Sequence, residues 1–107
     1  MDGAEVFARL RARRLAEYTE IRLLFRHPME TGRRVDAGSG TPVPANYIDR
    51  LTIRLENRLV AECRLGTGVA SDPSFTFRVK AGAPGERVAA NWRDTAGREN
   101  ELSAVIE

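Results

Sequence analysis

The residues of this chain best equipped for chemistry are one histidine, one cysteine and a few carboxylates beside a long polar stretch. His27 is the only imidazole, and an imidazole serves as a base, a metal ligand or a pH switch. It has no second histidine with which to share a metal, and Cys63 lies far away in sequence. The reading that isolation favours is a strand-end histidine that hydrogen-bonds backbone beside a loop. Cys63, the lone cysteine, can form neither an internal disulfide nor a multi-cysteine metal site. A reactive thiolate wants an electropositive, partly exposed setting. Arg64 is adjacent, but strand neighbours point to opposite faces. Cys63 shares parity with Leu59, Ala61 and Leu65, so small apolar filler is the simpler role. Glu30, Asp36 and Asp49 would need a fixed separation in a pocket to act as an acid–base pair, and nothing in their spacing supplies one. With Arg33, Arg34 and Arg50 nearby, surface ion pairs are the expectation. Neither a metal nor a cofactor is expected.

Sixteen of the seventeen basic residues are arginine, yet the net charge is only +2, too small to argue for nucleic acid by itself. Arg9, Arg11, Arg13 and Arg14 form a local basic cluster without interleaved aromatics. A solvated edge strand accounts for it best, since edge strands carry charge against aggregation. An acidic partner protein or nucleic acid are the other readings. No apolar run approaches the ~20 residues that span a bilayer, and the opening Met1-Asp2-Gly3-Ala4-Glu5 lacks the features of a secretory signal.

The elements that must hold these residues are strands. A chain of 107 residues with 42% hydrophobic and 30% charged content fits one globular domain, residues 1–107. Ile21, Leu23 and Phe25 alternate with Arg22 and Arg26 over residues 19–27, a half-buried strand that Pro28 ends. Residues 28–44 carry three glycines, three prolines and no apolar period, and read as one long loop turning at Gly38-Ser39-Gly40. Further alternations place Leu51, Ile53 and Leu55 inward, then Leu59, Ala61, Cys63 and Leu65, then Phe75, Phe77 and Val79. Val88, Ala90 and Trp92 follow, and Leu102, Ala104 and Ile106 finish the series. Asn57-Arg58, Ala83-Pro84-Gly85 and Asp94-Thr95-Ala96-Gly97 read as turns. Trp92 is a core tryptophan between two sheets. The first eighteen residues mix strand alternation with helix formers; a strand over residues 5–11 and an irregular link are favoured. About seven short strands with turns between them make an antiparallel β-sandwich.

The stretch His27-Pro28-Met29-Glu30-Thr31-Gly32-Arg33-Arg34-Val35-Asp36 resembles the signature of the SoxZ family. Three further blocks follow in family order: Pro44-Ala45-Asn46-Tyr47-Ile48, Ser71-Asp72-Pro73-Ser74-Phe75-Thr76-Phe77 and Asn91-Trp92-Arg93-Asp94-Thr95-Ala96-Gly97. Two departures stand out. Leu15-Ala16-Glu17-Tyr18 takes the place of a glycine-containing turn, and Asp72 replaces a usual asparagine. Cys63 lies outside the family pattern. The resemblance implies an all-β, immunoglobulin-like sandwich and a non-catalytic companion to a SoxY-like sulfur-carrier protein in bacterial thiosulfate oxidation. The carrier holds sulfur on a cysteine in a Gly-Gly-Cys-Gly-Gly motif; this chain ends Leu102-Ser103-Ala104-Val105-Ile106-Glu107 without one. The resemblance further implies a periplasmic heterodimer, co-exported on the partner's signal, with no nucleic-acid or membrane partner. For its interface we expect His27, Met29, Glu30, Arg33, Arg34 and Asp36, a thioether beside guanidinium groups being suited to a contact surface. The alternatives are a sulfur-transfer enzyme using Cys63 with His27, and a nucleic-acid-binding module using the N-terminal arginines.

Overall fold

Seven strands and no helix make up residues 7–107, the part of the chain that the computed structural model describes. They are β1 (Phe7–Arg14), β2 (Thr19–Arg26), β3 (Ile48–Leu55), β4 (Arg58–Arg64), β5 (Ser74–Val79), β6 (Arg87–Asp94) and β7 (Glu99–Val105). One antiparallel sheet runs β1-β2-β5 and the other β4-β3-β6-β7. This is the all-β sandwich that the alternation indicates, of the immunoglobulin-like kind that the resemblance implies, with the fourth strand paired to the third.

The core sits between the sheets. Ile21, Leu23 and Phe25 of β2 face Leu51, Ile53 and Leu55 of β3 and Val88, Ala90 and Trp92 of β6, all nearly inaccessible. The rings of Phe25 and Trp92 meet edge to face at 5.0 Å, a geometry that adds to their burial. On one side the sandwich closes: Ala12 of β1 bridges Ile106 in parallel, with Arg14 N–H donating to Glu107 O at 2.8 Å and Glu107 N–H to Ala12 O at 2.9 Å. Gly82 lies beneath that closure at φ +99, where an added Cβ would meet Thr19 Oγ1 at 2.7 Å and Ile106 Cδ1 at 2.9 Å. No side chain fits there.

The structure differs from the sequence expectations in five places. β1 continues to Arg14 and joins β2 through the short loop 15–18, so no irregular link exists; residues 5 and 6 of the expected strand lie outside the described residues. That loop contains no residue at positive φ, which is why it manages without the family's glycine. Asp49 is bulged out of β3, so Ile48 and Leu51 both point inward despite their odd spacing. Val60 is bulged out of β4, so Leu59 faces solvent at 47% exposure while Ala61 and Cys63 face the core. The hairpin between these strands turns at Glu56-Asn57, one residue before the expected pair, both at positive φ as in a type I′ turn.

The last difference matters most for function. The expected long loop is a narrow antiparallel arm over residues 30–46. Glu30 and Asn46 exchange backbone hydrogen bonds at 2.7 and 2.9 Å, Val43 N–H donates to Arg34 O at 2.7 Å, and Asp36 N–H donates to Thr41 O at 2.8 Å. At the tip Gly40 N–H returns to Asp36 O at 2.8 Å. The arm's outer part has solvent on both faces, so its pairing needs no apolar alternation and leaves none in the sequence.

Candidate partner-binding arm and its buried base

His27 follows the last residue of β2 and continues that strand's inward parity, so its ring enters the core at 1% exposure. Three groups hold it. The Asp72 carboxylate accepts from His27 N–H at 2.9 Å, and Asp72 N–H donates back to His27 O at 2.9 Å. Asp72 sits at φ +51, a conformation that short polar side chains tolerate best; aspartate in place of asparagine therefore keeps the backbone role. Met29 N–H donates to His27 Nδ1 at 3.1 Å. Nδ1 thus accepts, the neutral ring carries its proton on Nε2, and Nε2–H donates to Asp94 Oδ2 at 3.2 Å.

Asp94 ends β6 on the parity of Val88, Ala90 and Trp92, and its carboxylate is 1% exposed. A buried carboxylate must be hydrogen-bonded, and this one is: Oδ1 accepts from Ala96 N–H and Arg98 N–H at 3.0 Å each, so the same group shapes the β6–β7 turn. That turn also grips the returning limb of the arm. Thr95 N–H donates to Tyr47 O at 2.9 Å, and Tyr47 N–H donates to Thr95 Oγ1 at 3.1 Å. Outgoing and returning limbs are therefore anchored on one turn, through His27 and Tyr47 respectively.

Pro28 ends the β2 ladder, and Met29, at φ +51, turns the chain so that its side chain points inward. Its sulfur lies 3.4 Å from Ile48 N–H, a weak acceptor position at the start of β3. Gly32 follows at φ +88, and a Cβ there would stand 3.1 Å from that of Ala45 on the opposite limb. The glycine supplies both the conformation and the clearance.

From Glu30 outward the side chains change character. Arg34 holds the Glu30 carboxylate in a fork, Nη2 to Oε2 at 2.7 Å and Nε to both oxygens at 3.1 and 3.2 Å. The hydrogen bonding lowers the Glu30 pKa and raises that of Arg34. Asp36 accepts from Ser39 N–H at 2.9 Å and from its hydroxyl at 3.0 Å, and those bonds lower its pKa. Val35 is 57% exposed, and the Arg33 side chain is exposed with no partner among the described residues.

The six expected interface residues thus fall into two groups. His27 and Met29 are inside, which corrects the idea of a surface thioether; Glu30, Arg33, Arg34 and Asp36 lie on the arm. His27 was read as lacking a partner group, whereas Asp72 and Asp94 both bond to it. No hydrogen bond or ion pair among the described residues joins it to Cys63, which lies half-buried on the edge strand β4 opposite Leu51. Of the three carboxylates, Glu30 pairs with Arg34 and Asp49 with Arg93, while Arg50 pairs with Glu62 instead. Among the described residues no group of three or more His, Cys, Asp or Glu could hold a metal ion.

Fold and site together define an immunoglobulin-like β-sandwich that carries an exposed arm on a buried histidine–carboxylate base. The model of the family described as sulphur oxidation protein SoxZ matches residues 8–105, and the chain belongs to that family. Membership implies a role in Sox sulfur oxidation and a partner within that system. No curated protein matches the chain.

Proposed function

We propose that the chain is a non-catalytic subunit that binds a SoxY-like sulfur-carrier protein, with residues 30–46 supplying part of the contact. The observation that carries this is the division within the family signature. Its buried half fixes the arm through His27, Asp94 and Met29, while its outer half presents Arg33 and Val35 to solvent with no task inside the fold. A preorganised arm loses little freedom on docking, which favours affinity. Sulfur chemistry then belongs to a cysteine on the partner, and the complex works in the periplasm after co-export.

The test is size-exclusion chromatography of the chain mixed with its cognate SoxY-like protein. A shared peak is expected, and Arg33→Glu combined with Val35→Asp should weaken association by about tenfold or more, as replacing interface groups commonly does. Separate peaks for the unaltered proteins overturn the proposal. A shared peak that the arm variant leaves intact removes the arm from the interface.

A further inference from the structure

The outer face of the three-stranded sheet is far more basic than the chain as a whole. Alternation and register place Arg9, Arg11 and Arg13 of β1, Arg22 and Arg26 of β2 and Arg78 of β5 on it, all exposed. The one carboxylate among them is Glu20, 3.4 Å from Arg13. Arg11 reaches Glu107 at the rim at 3.4 Å, and Arg78 lies over the Tyr18 ring at 5.1 Å. Arg9, Arg22 and Arg26 have no side-chain partner among the described residues. The whole chain carries only +2, so the rest of the molecule is net acidic. The opposite sheet makes the contrast: its outer arginines are interleaved with acids, Arg50 with Glu62 at 2.9 Å and Arg93 with Asp49 at 3.3 Å.

Edge protection explains only part of this. Charge on β1 or β5 shields an edge, but Arg22 and Arg26 lie on β2, the central strand, which has no free edge. Arg22 stands directly opposite Arg11, a like-charge cross-strand pair that opposes folding. Beside them Leu24 is 48% exposed. Among the described residues, a depression of about 530 Å³ beside it, where β1 meets β2, is lined by Ala8, Arg9, Leu24, Phe25 and Arg26. An apolar centre bordered by arginine is the composition of a protein-recognition patch, in which arginine is enriched and lysine depleted. Stacking aromatics, which single-stranded nucleic acid would need, are missing from the outward positions of β2 and β5.

We infer that this face docks an acidic protein surface bearing an apolar residue at its centre, and that it is separate from the arm and independent of what the arm binds. Carboxylates of the partner would seat on Arg9, Arg22 and Arg26 around an apolar contact at Leu24. The probe is a glutamate-rich peptide with interspersed leucines, titrated into the full chain and followed by backbone amide shifts and fluorescence anisotropy. Shifts confined to β1, β2 and β5 are expected, with affinity falling as salt rises. Arg22→Glu combined with Arg26→Glu should weaken binding about tenfold or more, whereas Arg54→Glu with Arg64→Glu, the same charge change on the other sheet, should weaken it less than about twofold. Equal weakening by the two variants overturns the inference, since net charge alone would then account for binding. Duplex DNA or anionic vesicles binding at least as tightly as the peptide overturn it as well.

Discussion

The two halves of one short segment obey different rules. His27 and Met29 are buried, and His27 is bonded through its backbone and both ring nitrogens and tied to positions 45 and 67 residues away. Residues 33–40 are exposed, and their bonds are local. The same run of sequence therefore holds a structural anchor and a surface, and a signature read as one unit says nothing about which residue does which. Recognition needs side chains that are free to meet a partner; the anchor's worth lies in keeping them in place.

The sharpest way to break this distinction is to remove the anchor. Asp94→Ala leaves His27 Nε2–H and the amides of Ala96 and Arg98 without their acceptor. A cost of about 3 kcal/mol in global stability is expected, as for other buried groups that lose a charged hydrogen-bond partner. Urea denaturation measures it. Asp94→Asn should cost less, because an amide oxygen can still serve the turn, but its NH₂ would then meet Nε2–H. A loss below about 1 kcal/mol for Asp94→Ala, the range of an ordinary surface change, would mean that the buried base is not an anchor.

Gly32→Val attacks the joint between the halves. A β-branched residue at φ +88, with a Cβ 3.1 Å from that of Ala45, is strained in both conformation and space. The left-handed backbone alone costs roughly 1–2 kcal/mol. The loss should stay in the arm: hydrogen exchange of the Glu30 and Asn46 amides should quicken, while β6 and β7 amides keep their protection. Equal loss across the sandwich would show that arm and core unfold as one unit.

Much of the sandwich was legible because period-two alternation is a local property. β2, β6 and β7 follow it without interruption, and their inward residues are as the pattern assigns them. β3 and β4 each contain a bulge, and a bulge shifts parity without leaving a composition signal; Leu59 was misplaced for that reason, and the inward face of Ile48 could not be read. The anchor was half legible. His27 continues the parity of Ile21, Leu23 and Phe25, and Asp94 that of Val88, Ala90 and Trp92. Two polar residues at the ends of two inward runs are a signal that they meet, since each must find a partner away from water. What sequence could not supply is the distance between the strand ends, because that depends on sheet order.

The mildest perturbation is acid, and it should separate the halves most cleanly. Glu30 and Asp36 have lowered pKa values in the folded chain, through Arg34 and Ser39 respectively. A carboxylate so lowered contributes order that is complete above its unfolded value and is lost as pH falls through the folded one. The arm should therefore be fully formed at neutral pH and loosen only below about pH 4, under the ordinary carboxylate range. Amide shifts of Ser39 and Gly40 followed against pH report the tip, and the Glu30 side-chain carboxyl reports the fork. Arg34→Gln should move the Glu30 midpoint upward, toward an ordinary glutamate, and leave the amides of Ala96 and Arg98 where they are. Exposed ion pairs contribute little to global stability, so the urea midpoint of Arg34→Gln should stay close to that of the unaltered chain. If it fell as far as in Asp94→Ala, the arm would be part of what holds the sandwich together, and the segment would have one role instead of two.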